Sequence, residues 1–292
     1  MWGLRRECLA RHVQVGDIQI VALSDGMSRL PPMFYPGLNI GAHPEILNED
    51  GTVHIPTGCF LIRGLGFNML VDAGLGPVSI PFPQGMPAAK ARPEEQVPPL
   101  SEGGLLPAAL REAGCEPSDI DTVFLTHLHP DHIGWIAPQG RPYFENAKVV
   151  YGAADWAPLI SSASINDPGR RGLETIHSAG RASPIEGDML NIASGVTARH
   201  APGHTPGHYV LIVSSGVHRA YLLGDAVQCP LQLTETDIGF LTDVDAALAA
   251  RTREALFREL EGDDHAAVGM DHFPGLEFQR ILSGRGRQWF SI

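Results

Sequence analysis

The chain has 292 residues, of which 43% are hydrophobic and 18% are charged, a balance that excludes general disorder. Lysines and arginines number 21 against 33 aspartates and glutamates, and the resulting net charge of −12 predicts neither a nucleic-acid partner nor an anionic membrane partner. The 13 histidines are the unusual feature, because histidine is the commonest metal ligand and titrates near neutral pH.

The predicted elements begin with strands and continue as alternating strands and helices. Strands are predicted at residues 15–23, 59–63, 67–71, 120–125, 147–151, 196–200, 209–213, 220–223 and 266–270. Helices are predicted at residues 104–113, 153–161 and 242–260, the last with Thr242 or Asp243 as its N-cap. Long irregular loops are expected at about residues 31–57 and 77–101. This order favours an α/β sandwich, in a single domain spanning residues 1–292, over a dinucleotide-binding fold.

The cysteines and the N-terminus indicate the expected cellular location of the protein. Cys8, Cys59, Cys115 and Cys229 are widely scattered and form no CxxC pair, so we expect reduced and mostly buried thiols. The N-terminus has no apolar stretch of signal-peptide length, and the sequence has no apolar run long enough for a transmembrane helix. These features predict a soluble, cytoplasmic protein.

The most informative segment is THLHPDH, which directly follows an apolar run. His127 and His129 are two residues apart, so an extended backbone points both rings the same way. Pro130 ends that extension, so His127 and His129 can hold one metal ion while Asp131 and His132 face a second. Imidazole and carboxylate without thiolate favour zinc, with manganese, iron and cobalt as alternatives. The opposing interpretation is a solvated polar loop.

Further ligands are expected where other apolar strands end. His204 lies in APGHTPGH after the strand at 196–200, Asp225 ends YLLGD, and His272 ends VGMDH. A glycine close to each of them allows a close approach of the backbone. Each of these strands therefore delivers one metal-ligating side chain.

These motifs, with Asp72 in the segment VDAG, resemble the metallo-β-lactamase fold superfamily from about residue 15 to residue 272. The resemblance implies a four-layer αββα sandwich with two divalent cations at the sheet ends. It implies that one cation is held by His127, His129 and His204, the other by Asp131, His132 and His272, with Asp225 bridging them. It also implies that Asp72 orients a ligand histidine.

Further residues are assigned candidate roles. Asp131 and Asp225 are the candidate catalytic residues, Asp131 as a proton relay. His208 either supports the metal site or is a structural histidine in a tight turn. Candidate substrate-binding residues are Gln228, Phe273, Trp135, Phe34 and Tyr35.

The predicted activity is metal-dependent hydrolysis of a small molecule by a hydroxide that bridges two metals. The motif set looks like the branch that contains N-acyl-homoserine lactonases and methyl-parathion-type hydrolases, which favours opening of a lactone or cleavage of an ester. Gln228 stands where such lactonases often have a tyrosine, three residues after the bridging aspartate. The alternatives are phosphotriester, thioester or β-lactam hydrolysis and a non-catalytic metal-binding protein. A homodimer is left open.

Overall fold

The computed structural model describes residues 12–86, 97–282, 284 and 287–292. The strands are β1 His12–Val15, β2 Ile18–Leu30, β3 Val53–Gly64, β4 Phe67–Val71, β5 Ser79–Ile80, β6 Ser101–Glu102, β7 Thr122–Leu125, β8 Lys148–Gly152, β9 Ala182–Ile185, β10 Met189–Ala193, β11 Val196–His200, β12 Tyr209–Ser215, β13 His218–Leu222, β14 Ala267–Gly269, β15 Gln279–Ile281 and β16 Trp289–Ser291. The helices are α1 Leu106–Glu112, α2 Pro130–Ile133, α3 Pro168–Ser178 and α4 Ala246–Leu260.

Within the described residues, the strands form two sheets. The first has the order β5-β6-β2-β3-β4-β7-β8-β9, with β1 beside β2, and the second runs from β10 to β16 in chain order. In the second sheet β11 and β13 are both antiparallel to β12, and β14 is parallel to β13. Strands β11, β13 and β14 therefore point the same way, and the residues that follow them emerge at one edge of the sheet.

The side chains of the two sheets sort into layers because successive strand residues face opposite sides. In β12, Leu211 packs in the core between the sheets, whereas Val210 packs with Phe257 of α4. In β3, Ile62 faces the inter-sheet core and Leu61 faces the cluster that contains Leu106 of α1. The layers are helix, sheet, sheet and helix, so the predicted αββα sandwich is confirmed.

Several predicted elements differ from the observed ones. The strand predicted at 15–23 is a hairpin, because Gly16 adopts a φ of +57° and turns the chain between β1 and β2. The loop predicted at 31–57 ends earlier, since β3 begins at Val53. Helix α4 begins at Ala246 rather than near residue 242, because the Asp245 side chain accepts the N–H of Leu248 as the N-cap. Helix α3 and strands β5, β6, β9, β10, β15 and β16 were not predicted.

Other features of the fold agree with the sequence. Cys59, Cys115 and Cys229 are free and buried, as predicted, and Cys8 lies outside the described residues. Of the loop predicted at 77–101, residues 87–96 also lie outside them. No helix in the described part of the chain is both long enough and apolar enough to cross a membrane.

Candidate metal centre

The predicted ligands converge at the sheet edge in two adjoining groups. One group contains His127, His129, His204 and Asp225, and the other contains Asp131, His132 and His272. In each group the possible ligand atoms lie within 4.8 Å of one another. They reach this edge because β7 precedes the first motif, while β11, β13 and β14 run in one direction toward the other three ligands.

The ring nitrogens of the first group face one another. His127 Nδ1 lies 3.1 Å from Thr126 Oγ1, and His204 Nδ1 lies 2.8 Å from Asp243 Oδ1, so these acceptors favour a proton on each Nδ1. When His127 and His204 are neutral, the Nε2 atom of each ring then carries a lone pair. Both Nε2 atoms lie 3.0 Å from His129 Nδ1. Three nitrogens that share at most one proton fit a cation better than a network of hydrogen bonds.

The second group has the same arrangement of outer partners. His132 Nδ1 lies 2.9 Å from Asp72 Oδ2, and His272 Nδ1 lies 2.8 Å from the Pro56 carbonyl oxygen. Their Nε2 atoms face the Asp131 carboxylate at 3.8 and 3.6 Å respectively. Among the described residues, neither ring nitrogen of the buried His132 makes a hydrogen bond of good geometry, although carboxylate oxygens lie close to both. A buried nitrogen without a partner beside carboxylates fits a metal ligand.

Asp225 lies between the two groups and turns one oxygen to each. Its Oδ2 lies 3.2 Å from His204 Nε2 and 3.7 Å from His127 Nε2. Its Oδ1 lies 3.2 Å from His132 Nε2 and 3.1 Å from His272 Nε2. A carboxylate divided in this way can join two cation positions.

The electrostatics of the centre favour bound positive charge. Burial lowers the pKa of His127 well below its usual range and lowers that of His129 to about 4. Burial opposes ionisation of Asp225, but the surrounding histidines, first His272 and then His132, hold the pKa of that carboxyl well below its usual range. At His132, His204 and His272 burial is outweighed by nearby carboxylates, above all Asp225, and the pKa of each of these rings is raised. The carboxylates therefore stabilise positive charge in the centre, whether protons or a cation carry it.

The predicted supporting residues both contact the ligand-bearing segments. The Asp72 carboxylate accepts hydrogen bonds from the backbone N–H and the hydroxyl of Thr126, each at 2.8 Å, and also faces His132 Nδ1. His208 is fully buried and its Nε2 accepts the backbone N–H of Asp225 at 3.1 Å. Burial lowers the pKa of His208 to about 3, which keeps this acceptor unprotonated.

Two further aspartates organise the centre and were missed by the sequence analysis. Asp243, a helix-cap candidate in the sequence, instead pairs with His204 Nδ1. Asp155 is fully buried and accepts from Leu128 N, Thr205 Oγ1 and Gly207 N at 3.2, 2.9 and 2.5 Å. Asp155 thus joins the two loops that carry His129 and His204. Its position three residues after the end of β8 was the available sequence signal.

The structure separates the predicted substrate-binding residues. Phe34 and Tyr35 pack against Phe240, with ring centroids 6.1 and 5.2 Å apart, and the Phe240 ring lies 6.3 Å from that of His204. These aromatic rings therefore lie beside the metal-ligand cluster. Phe34 is partly exposed, whereas Tyr35 is buried.

The remaining three candidates do not line this region. Trp135 lies in the core of the first sheet, because its indole N–H donates to the buried carboxylate of Asp25 at 2.8 Å. Phe273 packs edge-on against Trp289 within the core beneath α4. Gln228 is fully buried behind Asp225, to which its side-chain Nε2 donates at 2.6 Å.

Comparison with known proteins identifies the family. Residues 55–272 match the family described as the metallo-beta-lactamase superfamily. The chain belongs to this superfamily. The predictions of a metallo-β-lactamase fold and of a metal-dependent hydrolase are thereby confirmed.

Individual relatives within this superfamily share about a quarter of their residues with the chain or fewer. The chain is 26% identical over 216 residues to an N-acyl homoserine lactonase of a Bacillus species, covering 73% of this chain and 81% of the relative. It is 25% identical over 246 residues to the N-acyl homoserine lactonase AiiB of Agrobacterium fabrum, covering 82% of each. Its fold is similar to that of AidC, a dizinc quorum-quenching lactonase, with a TM-score of 0.77 at 23% identity over 97% of both chains. The hydrolase AbOPH also has a TM-score of 0.77, at 22% identity over 98% of this chain and 99% of that chain.

Proposed function

We propose that the chain holds two divalent cations and hydrolyses a lactone. The first cation is assigned to His127, His129 and His204, the second to Asp131, His132 and His272, and Asp225 joins the two. The observation that carries this proposal is the division of the Asp225 oxygens between the two groups. Zinc is the preferred cation, with manganese, iron and cobalt as alternatives, because the ligands are imidazoles and carboxylates.

Bound divalent cations supply a nucleophile by lowering the pKa of water and polarise a carbonyl oxygen. The chain's own residues prepare the reaction around them. Asp225 and the outer partners Asp72 and Asp243 fix the orientation of the ligand rings. Asp131, with 27% of its side chain exposed, is more accessible than His132 or His272 and lies at the open side of the centre.

The hydrolysis adds water across the ring ester bond. The water oxygen joins the carbonyl carbon, the bond from that carbon to the ring oxygen breaks, and the ring oxygen leaves as an alkoxide that gains a proton. Asp131 is positioned to take the proton from water and return it to the alkoxide. The product is a hydroxy acid.

The lactone assignment is supported by the relatives and by the surroundings of His204. Curated relatives over 73% and 82% of this chain are N-acyl homoserine lactonases. Phe34 is partly exposed and packs against the buried ring of Phe240 beside His204, so it offers an apolar contact for the hydrocarbon part of a small neutral ester.

The test combines metal analysis of the purified full chain with a substrate panel. The panel contains acyl-homoserine lactones, simple lactones, aryl esters, thioesters, phosphotriesters and a β-lactam. We expect two bound cations per chain and fastest hydrolysis of lactones. Selective phosphotriester cleavage would assign the alternative activity, and tight metal binding without turnover of any substrate would assign a non-catalytic role.

Variants connect the activity with the proposed ligands. Asp225→Ala and His129→Ala are expected to lose bound metal and lactone hydrolysis together, because each removes a ligand. Gln139→Ala changes an exposed residue outside the centre and should keep both. Unchanged turnover in either ligand variant would contradict the proposed site.

A further inference from the structure

Gln228 makes a contact that distinguishes the two oxygens of Asp225. Its side-chain Nε2 donates to Asp225 Oδ2 at 2.6 Å. The side chain is fully buried, so it has no surface to offer a substrate. Only the amide N–H can face a carboxylate oxygen favourably, because the amide carbonyl would repel it. Gln228 therefore acts on the ligand and not on the reacting molecule.

The backbone at Gln228 is held in place by a second buried glutamine. Gln232 Oε1 accepts the N–H of Gln228 at 2.7 Å and that of Cys229 at 3.3 Å. Gln232 Nε2 donates at 3.1 Å to the carbonyl oxygen of Ile238, which also accepts from Arg253 of α4 at 3.3 Å. These contacts anchor the segment to α4 and fix the direction from which the Gln228 amide approaches Asp225.

The contact is one-sided with respect to the two groups of ligands. Gln228 bonds Oδ2, the oxygen that faces His127 and His204. Among the described residues, Oδ1, which faces His132 and His272, is buried and has no hydrogen-bond partner. A partner that orients a ligating carboxylate typically changes metal affinity by about 10- to 100-fold. Here that influence falls directly on only one of the two cation positions.

We propose that Gln228 is a positioning residue that makes the two cation positions unequal. It orients Asp225 Oδ2 toward the His127, His129 and His204 group and so strengthens the hold on the cation there more than on the other. This inference rests on the proposed function, because it requires that Asp225 bind both cations. It assigns a role to the glutamine that stands where lactonases of the resembling branch often have a tyrosine.

The test removes the amide while keeping the shape of the side chain. Gln228→Met is close in volume, and it also removes a buried carbonyl oxygen that has no hydrogen-bond partner among the described residues. Gln228→Leu is the second variant if the first is poorly folded, and circular dichroism with thermal unfolding checks both. Gln139→Met is the control, since it makes the same exchange at an exposed position.

Metal retention is measured at each position separately. In the zinc-loaded full chain, the imidazole N–H signals of His204 and His272 are followed by NMR during titration with a chelator. These protons are suitable reporters because one faces Asp243 and the other faces the Pro56 carbonyl oxygen. In Gln228→Met, we expect the metal-bound His204 signal to disappear at about 10- to 100-fold lower chelator concentration, with a smaller change at His272.

The outcomes separate this inference from the function on which it rests. If wild-type protein binds two cations and the Gln228 variants release both at wild-type chelator concentrations, the positioning role is wrong and the metal centre stands. Equal weakening at the two positions, or a larger effect at His272, also overturns the inference. If neither signal of wild-type protein responds to zinc, the proposed metal centre fails and the inference fails with it.

Discussion

His204 Nδ1 lies 2.8 Å from Asp243 Oδ1, a contact between residues 39 positions apart in the sequence. Burial of His204 is outweighed by the neighbouring carboxylates of Asp225 and Asp243, which raise the pKa of the ring to about 9. Asp243 Oδ2 also accepts the N–H of Phe240 at 3.1 Å. One carboxylate thus fixes both a proposed metal ligand and the aromatic ring beside it.

Replacing this carboxylate should weaken metal binding without unfolding the protein. In Asp243→Asn the amide oxygen can still accept the Phe240 N–H, but the anionic acceptor for His204 Nδ1 is lost. We expect zinc affinity to fall by about 10- to 100-fold, measured by chelator competition. Asp245→Asn is the matched control, because asparagine is as good an N-cap for α4 as aspartate. Equal zinc affinities in the two variants would contradict the role of Asp243.

Asp155 should contribute mainly to stability, because its buried carboxylate accepts three hydrogen bonds. Asp155→Ala leaves these donors unpaired, at a cost of about 1–3 kcal/mol for each buried group. We expect the free energy of unfolding to fall by about 3 kcal/mol or more, measured in denaturant. Asp167→Ala removes the N-cap of α3 and should cost only about 1 kcal/mol. Similar losses in the two variants would rule out the joining role of Asp155.

The sequence identified the clustered ligand candidates better than the residues that orient them. His127, His129 and His132 were recognisable because they are nearly contiguous and follow a buried strand. Asp225 and His272 were predicted as ligands because each follows an apolar strand end. Asp243 was missed because its partner is far away in the chain, and a local pattern also allows a helix cap there.

The candidate substrate-binding residues were harder to place from sequence for a related reason. Trp135 lies three residues beyond the histidine motif, yet its direction is set by the buried carboxylate of Asp25, 110 positions away. Gln228 was predicted to face the substrate, yet its amide is committed to Asp225. Side-chain direction depends on such long-range contacts, which sequence spacing does not encode.

His43, which lies between two glutamates, should make the stability of the protein depend on pH. Its Nδ1 lies 3.2 Å from Glu45 Oε1, and its Nε2 contacts Glu235. The hydrogen bond with Glu45, together with Glu235, outweighs burial and raises the pKa of His43 above its usual 6.5. A raised pKa means that the stabilising contribution is complete below the unfolded value and is lost as pH rises through the folded value.

The measurement compares wild-type protein with His43→Gln from about pH 5 to about pH 9. We expect wild-type protein to be the more stable at the acidic end, with the difference in unfolding free energy shrinking as the pH rises. His218→Gln is the control, because His218 is exposed at the start of β13. A difference that grows with pH would show that the sign of the linkage is wrong.

Gly224, which precedes Asp225, should be required for the geometry of the metal centre. It adopts a φ of +49°, and a Cβ placed there would lie 2.9 Å from His208 Nε2 and 2.9 Å from Thr126 Oγ1. Both atoms belong to residues that hold the ligand segments. Gly224→Ala should therefore displace Asp225 from one or both groups and lower the zinc content of the purified protein.

Gly216→Ala separates this effect from backbone strain. Gly216 adopts a similar φ of +60°, but a Cβ there would have no described heavy atom within 4 Å. Both substitutions force a left-handed residue, which costs about 1–2 kcal/mol, so both should lower the free energy of unfolding. Only Gly224→Ala should also lose zinc and lactone hydrolysis. If Gly216→Ala loses as much zinc as Gly224→Ala, the loss reflects reduced stability, and the close packing of Gly224 against His208 and Thr126 is not what positions Asp225.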